Sequence, residues 1–230
     1  MAALIKAAGP CRMQTRAQHA PFQTLARAIA HQQLHGIAAE CILARFVALF
    51  DPPNFPTPPQ VIAASNEQLR AVGFSFAKVA ALKDLALKTL EGIVPQPVEL
   101  ALLSDLQIIE RLSSVRGIGR WTVEMMLMFQ LERPDVLPVD DFGVRNGFRL
   151  AYGLKRMPTP RALAQFGERW QPFRSAAAWY LWRAVDLARE HKLPTCVSPP
   201  PRIAMVNAAK REARNKSAKR ARTRAPKQRR

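Results

Sequence analysis

The chain has 230 residues, 48% of them hydrophobic, enough to bury a sizeable core in one large or two small lobes, which excludes a peptide. A formal net charge of +18 and a pI near 11.1 point toward polyanions without separating DNA from RNA or an acidic membrane. Twelve Lys/Arg against Glu212 between residues 202 and 230 carry +11 of that charge and leave +7 on the rest. Cys11, Cys41 and Cys196 form no C-x-x-C pair and no even-numbered framework, so neither a disulfide scaffold nor a cysteine-ligated cluster is indicated. A reducing compartment is expected: the cytoplasm or nucleoid of a bacterium, or a nucleus. The start Met1-Ala2-Ala3-Leu4-Ile5 meets Lys6 too soon for a signal-peptide core, and no stretch approaches the roughly 20 apolar residues that span a bilayer. A soluble protein without a membrane partner is expected.

In chain order the apolar pattern is helical nearly throughout. Phe22, Leu25, Ile29, Ile42, Leu43 and Phe46 recur at helical spacing with a break near His35-Gly36, which predicts two helices and a short turn. Residues 51–59, with prolines at 52, 53, 56, 58 and 59, read as a loop, because proline removes backbone donors and disfavours helix in the residue before it. Helices are predicted at about 66–72, 75–91, 104–115, 120–131, 141–152, 160–169 and 174–191. No segment shows sustained strand alternation and no repeat is visible, so the fold class is all-α. After Pro199-Pro200-Pro201 the composition turns to Ala, Lys and Arg with almost no large apolar residues. Residues 199–230 are therefore expected to be a disordered basic tail on a helical domain of residues 1–198. Such a tail either contacts nucleic acid or only aids solubility.

Between two predicted helices lies Val115-Arg116-Gly117-Ile118-Gly119. Glycines turn the chain tightly and let backbone N–H groups approach an anion, which the following helix N-terminus also favours, while Ile118 fits the apolar gap between the helices. Gly117, Ile118, Gly119 and Arg120 are thus candidate DNA-phosphate contacts, although glycine turns between packed helices also occur for purely structural reasons. About twenty residues on, Asp140-Asp141 follow the extended Asp135-Val136-Leu137-Pro138-Val139 and precede a helix. Asp141 has two compatible readings, an N-cap that satisfies helix amides and a carboxylate available for chemistry. Trp121 and Trp182, each taken alone, read as core packing. His31 and His35 are four apart, but Gln32 stands where H-E-x-x-H needs its glutamate and no third ligand is evident, so a catalytic zinc is not expected.

With Trp121-Thr122 after the glycine turn and Asp140-Asp141 after that, the chain resembles the helix-hairpin-helix-Gly-Pro-Asp superfamily of DNA glycosylases, and within it the alkylation-repair branch, 3-methyladenine DNA glycosylase II. The resemblance runs from about residue 22 to about residue 191. It includes Ala28-Ile29-Ala30-His31-Gln32-Gln33, Arg70-Ala71-Val72-Gly73 with Lys78, and Glu168-Arg169-Trp170-Gln171-Pro172-Phe173-Arg174-Ser175. It implies a two-lobed fold with the base pocket between the lobes, acting as a monomer on double-stranded DNA that contains alkylated bases. By position it implies that Asp141 is the catalytic aspartate and Asp140 its acidic neighbour, and that Trp121 and Trp182 surround the flipped base. Gln33 or Leu34 takes the wedge position, with a buried amide or core leucine as the plainer reading of either. Bifunctional relatives carry a lysine where this chain has Trp121, so the resemblance implies a monofunctional enzyme that hydrolyses the glycosidic bond without a required cofactor. It further implies a structural Na+ or K+ held by the backbone carbonyls of Ser113, Val115 and Ile118. The chain departs from the family at Arg116, where the hairpin usually has proline. A non-catalytic hairpin protein that only binds DNA, and a glycosylase for other damaged bases, are the alternatives.

Overall fold

The computed structural model describes residues 1–14, 19–34, 36–51 and 54–194, so His35, Cys196 and the predicted tail lie outside the described residues. All the regular elements among the described residues are helical, as the apolar periodicity predicts. No helix there is long and apolar enough to cross a membrane. The chain divides into two compact units, one spanning Arg12–Pro138 and the other built from the segments on either side of it. In chain order, α1 (Ala2–Ala8) belongs to the flanking unit. The Arg12–Pro138 unit holds α2 (Pro21–His31), α3 (Gly36–Ala48), α4 (Pro58–Ala63), α5 (Asn66–Ala71), α6 (Phe76–Leu90), α7 (Pro97–Leu102), α8 (Asp105–Ser113) and α9 (Arg120–Phe129). The flanking unit continues with α10 (Phe142–Ala151), α11 (Pro160–Gly167), a 3-10 turn over Glu168–Trp170 and α12 (Arg174–Arg189).

Within the Arg12–Pro138 unit α6 packs on α2 and α4, and the fully buried Leu25, Ile29, Val61, Leu82 and Leu85 lie on these three helices. Phe46 of α3 stacks edge-on with Phe50, Phe55 and Phe74 at centroid distances of 5.6, 6.0 and 5.3 Å. The predicted helices exceed the observed ones by a residue or two, at the start because a serine cap is not itself helical and at the end because the apolar period runs on past the last helical turn. Ser75 and Ser104 stand outside α6 and α8, their hydroxyls accepting from the amides of Lys78 and Gln107. The predicted loop over 51–59 is corrected at its end, since Pro58 opens α4. A proline in the first helical turn forgoes only an amide that has no partner there, and Gln60 Oε1 accepts the Thr57 amide at 2.8 Å to cap the start. The short helices α1 and α7 were also not predicted. Six or seven residues give too little periodicity to read, and α7 again begins on a proline.

In the flanking unit α1 seats Leu4 against Tyr180, Ala184 and Leu187 of α12, and the Tyr180 hydroxyl donates to the Gly9 carbonyl at 3.0 Å. Phe148 of α10 and Tyr152 just after it stack on each other, both meet Phe166 edge-on, and Trp170 meets Phe148 and Phe166 edge-on. The backbones of α10 and α12 come so close that a Cβ placed on Gly147 would fall 1.8 Å from the Leu181 carbonyl oxygen. This approach sets Trp182, the next residue, against the first turn of α10.

Candidate active site

Asp141 is the N-cap of α10. Its Oδ1 accepts the Val144 amide at 2.7 Å, so the capping reading holds. The same oxygen accepts the Trp182 indole N–H at 2.9 Å. Two donors on one oxygen fix the plane of the carboxylate, and the protein thereby sets the direction of the second oxygen. The indole reaches this position because residue 143 is glycine, where a Cβ would lie 2.8 Å from Trp182 Cδ1 and 3.1 Å from Asp141 Oδ1. Sequence reasoning missed Gly143 and Gly147, because a glycine inside a helix carries no sign of what lies opposite it. Asp140, the acidic neighbour that the resemblance implies, is exposed in the turn before α10, whereas Asp141 is partly buried. The structure therefore brings Asp141 and Trp182 together and sets Asp140 apart in exposure. A packing role alone does not describe Trp182, whose only polar atom is spent on the carboxylate.

The other predicted residues lie in the Arg12–Pro138 unit. Gly117 has φ +79°, the left-handed conformation its sequence position suggests, and Ile118 is buried as expected. The Ile118 amide donates to the Val115 carbonyl at 3.0 Å and closes the turn. That bond engages the Ile118 amide within the turn. The Thr122 amide, in the first turn of α9, donates to the Gly119 carbonyl at 2.9 Å, and the amides that precede the first intrahelical bond are the groups that favour an anion at a helix N-terminus. The Arg120 guanidinium is anchored through Nε to Glu124 Oε1 at 2.8 Å, and Glu124 itself is only 2% exposed. A buried carboxylate needs such a partner, and here it holds a cation at the exit of the hairpin. Trp121, in the first turn of α9, is 49% exposed, too open for the core role its residue type suggests.

Gln33 has φ +58°, a left-handed conformation uncommon for a side-chain-bearing residue, and both Gln33 and Leu34 are exposed. Ile37, not singled out from the sequence, is 85% exposed in the same region. The end of α2 is held from three sides. Lys78 Nζ donates to the Ala30 carbonyl at 2.7 Å, Gln32 Nε2 donates to the Gly117 carbonyl at 2.8 Å, and His31 Nε2 lies 3.0 Å from Glu40 Oε1. Burial pushes the Lys78 ammonium below the usual lysine range. The exposed turn thus has a fixed mount tied directly to the hairpin. The carbonyls of Ser113, Val115 and Ile118 form a set of neutral hard oxygens that suits Na+ or K+. Ser113 also carries a buried hydroxyl without a hydrogen-bond partner among the described residues, a further oxygen on the same segment.

A helical hairpin with a capped aspartate about twenty residues beyond it defines a class. Residues 26–172 match the HhH-GPD superfamily of base excision DNA repair proteins, and the chain belongs to that superfamily. Among its relatives, DNA-3-methyladenine glycosylase 1 of Schizosaccharomyces pombe is 45% identical over 168 residues, 73% of this chain and 74% of that one. A solved 3-methyladenine DNA glycosylase of the same yeast, in complex with abasic DNA, superposes with a TM-score of 0.68 at 43% identity, over 80% of this chain and 90% of that one. A DNA-3-methyladenine glycosidase of Bacillus halodurans superposes with a TM-score of 0.73 at 33% identity, over 81% and 84%.

Proposed function

We propose that this protein is a monofunctional DNA glycosylase that flips alkylated purines such as 3-methyladenine out of duplex DNA and hydrolyses their N-glycosidic bond. The observation that carries the reading is the Asp141 carboxylate, held by the Val144 amide and the Trp182 indole in a chain whose relatives bear glycosylase names. As the base departs, positive charge develops on the deoxyribose. A fixed carboxylate stabilises that charge without having to reorganise, and it can position water for attack. The hairpin and the first turn of α9 bind a backbone phosphate, and Gln33 or Leu34 fills the space left by the extruded base. Trp121 offers an exposed aromatic face, which attracts a base made cationic by alkylation. A Na+ or K+ on the carbonyls of Ser113, Val115 and Ile118 would supply positive charge near the phosphate. The enzyme works on double-stranded DNA as a monomer, in whichever compartment holds that DNA.

Base release from methylated duplex DNA tests this directly, with free alkylated purine as the expected product. Duplex binding without release would leave a hairpin protein that only binds DNA. Borohydride is expected to trap no covalent enzyme–DNA adduct, since Trp121 offers no amine for a Schiff base. A trapped adduct that survives in a chain ending at residue 198 would overturn the monofunctional assignment.

Trp182→Phe separates two roles of the indole, since it keeps an aromatic face but removes the N–H that Asp141 accepts. A hydrogen bond to a charged group contributes roughly 1.5–3 kcal/mol, so excision should fall by about tenfold to a hundredfold. Because the carboxylate acts on the sugar, 3-methyladenine and hypoxanthine should be affected alike. A loss confined to the cationic base would assign Trp182 to stacking instead.

A further inference from the structure

The turn Val115-Arg116-Gly117-Ile118 is closed by the Ile118 amide on the Val115 carbonyl, with Gly117 left-handed at its third position. This is the pattern of a type II turn, whose second position takes φ near −60°, the value a proline ring imposes. Here the second position is Arg116, which has no ring to hold φ but does have an amide proton. That N–H donates to Asp84 Oδ2 at 2.7 Å, a bond that proline could not make. Asp84 lies on α6 between Ala81 and Lys88, spaced three and four residues apart and so on one face of the helix. All three meet the hairpin. A Cβ on Gly117 would lie 3.2 Å from the Ala81 methyl, and Lys88 Nζ donates to the Ser114 carbonyl while standing 3.1 Å from Asp84 Oδ2.

We propose that Asp84 is a positioning residue for DNA binding, holding by a charge-assisted hydrogen bond the hairpin turn that a proline would hold covalently. A carboxylate beside a phosphate site costs affinity through repulsion, and Lys88 offsets this by pairing with the same oxygen. Both side chains are about three-quarters buried, at 27% and 21% exposure, so solvent screens the pair less than it screens a surface ion pair. The inference rests on the reading of the hairpin as the phosphate site.

The test compares Asp84→Asn with Asp84→Ala in the full chain, alone and in the Arg116→Pro background. Both variants lose the same charge, but only the asparagine keeps an oxygen that accepts the Arg116 amide. With Arg116 present, the alanine variant should bind undamaged duplex about tenfold more weakly than the asparagine variant. In the Arg116→Pro background, where no N–H exists, the two should bind equally. Hydrogen exchange at the Arg116 and Ile118 amides of the DNA-free protein provides a second reading, faster in Asp84→Ala than in Asp84→Asn. Equal exchange in the two variants would overturn the proposal. So would equal DNA affinity with Arg116 present, or an affinity gap that persists unchanged in the Arg116→Pro background. Failure of the wild-type chain to bind duplex, with the exchange difference intact, would instead count against the hairpin as the phosphate site.

Discussion

Asp141→Asn is expected to lower single-turnover excision of 3-methyladenine by at least about a hundredfold, the scale on which loss of one group opposing transition-state charge is felt. The structure makes this substitution informative, because Asp141 has two duties. Its Oδ1 caps α10 through Val144 and orients on the Trp182 indole. Asparagine is as good an N-cap as aspartate, and its amide oxygen accepts both donors, so the fold and the indole contact survive while the negative charge is lost. Thermal stability should therefore stay close to wild type, and duplex affinity should be unchanged or higher, since a carboxylate that repels phosphate is gone. Asp141→Ala would lose the cap as well, at about 1 kcal/mol, and would confound stability with chemistry. Near-wild-type excision by folded Asp141→Asn would remove Asp141 from the reaction. Asp140→Asn, at an exposed position, should be milder.

Gly147→Ala should be the most damaging change to the fold. The added methyl would stand 1.8 Å from the Leu181 carbonyl oxygen, which is backbone and cannot rotate away, so α10 and α12 must separate. Overpacking of this kind costs about 3 kcal/mol or more. For a chain of this size that corresponds to a fall in Tm on the order of 10 °C. Gly143→Ala differs because its nearest obstacle is the Trp182 ring. The ring can move, so that variant should fold but lose the indole contact to Asp141 and excise slowly. A Gly147→Ala protein with wild-type Tm would show that the two helices do not approach as closely as the structure has them.

Much of the helical framework was legible because apolar residues at a 3.6-residue period bury one face wherever the helix is long enough to repeat. Helices α6, α8, α9, α10 and α12 are legible this way, to within a residue of their caps. The short α1, α4 and α7 were not, and the prolines that open α4 and α7 read as helix breakers because the same residue serves a first turn and stops an interior. The glycine turn was legible too, since the left-handed conformation at Gly117 leaves its mark on residue type.

The family, the glycine turn and the N-cap role of Asp141 could be read from the sequence by itself, because each rests on local chemistry or on ordered motifs along the chain. What surrounds those residues came only from tertiary structure. Trp182 lies 41 residues from Asp141, Asp84 lies 32 from Arg116 and Gln32 lies 85 from Gly117, yet each pair shares a hydrogen bond. Nothing local in the sequence distinguishes Asp84 from any other carboxylate on a helix. Nor does the sequence show that Gly143 and Gly147 are glycines for the sake of an indole and a carbonyl on α12. Backbone approach and donor–acceptor pairing depend on how helices pack across the chain, which local periodicity does not encode.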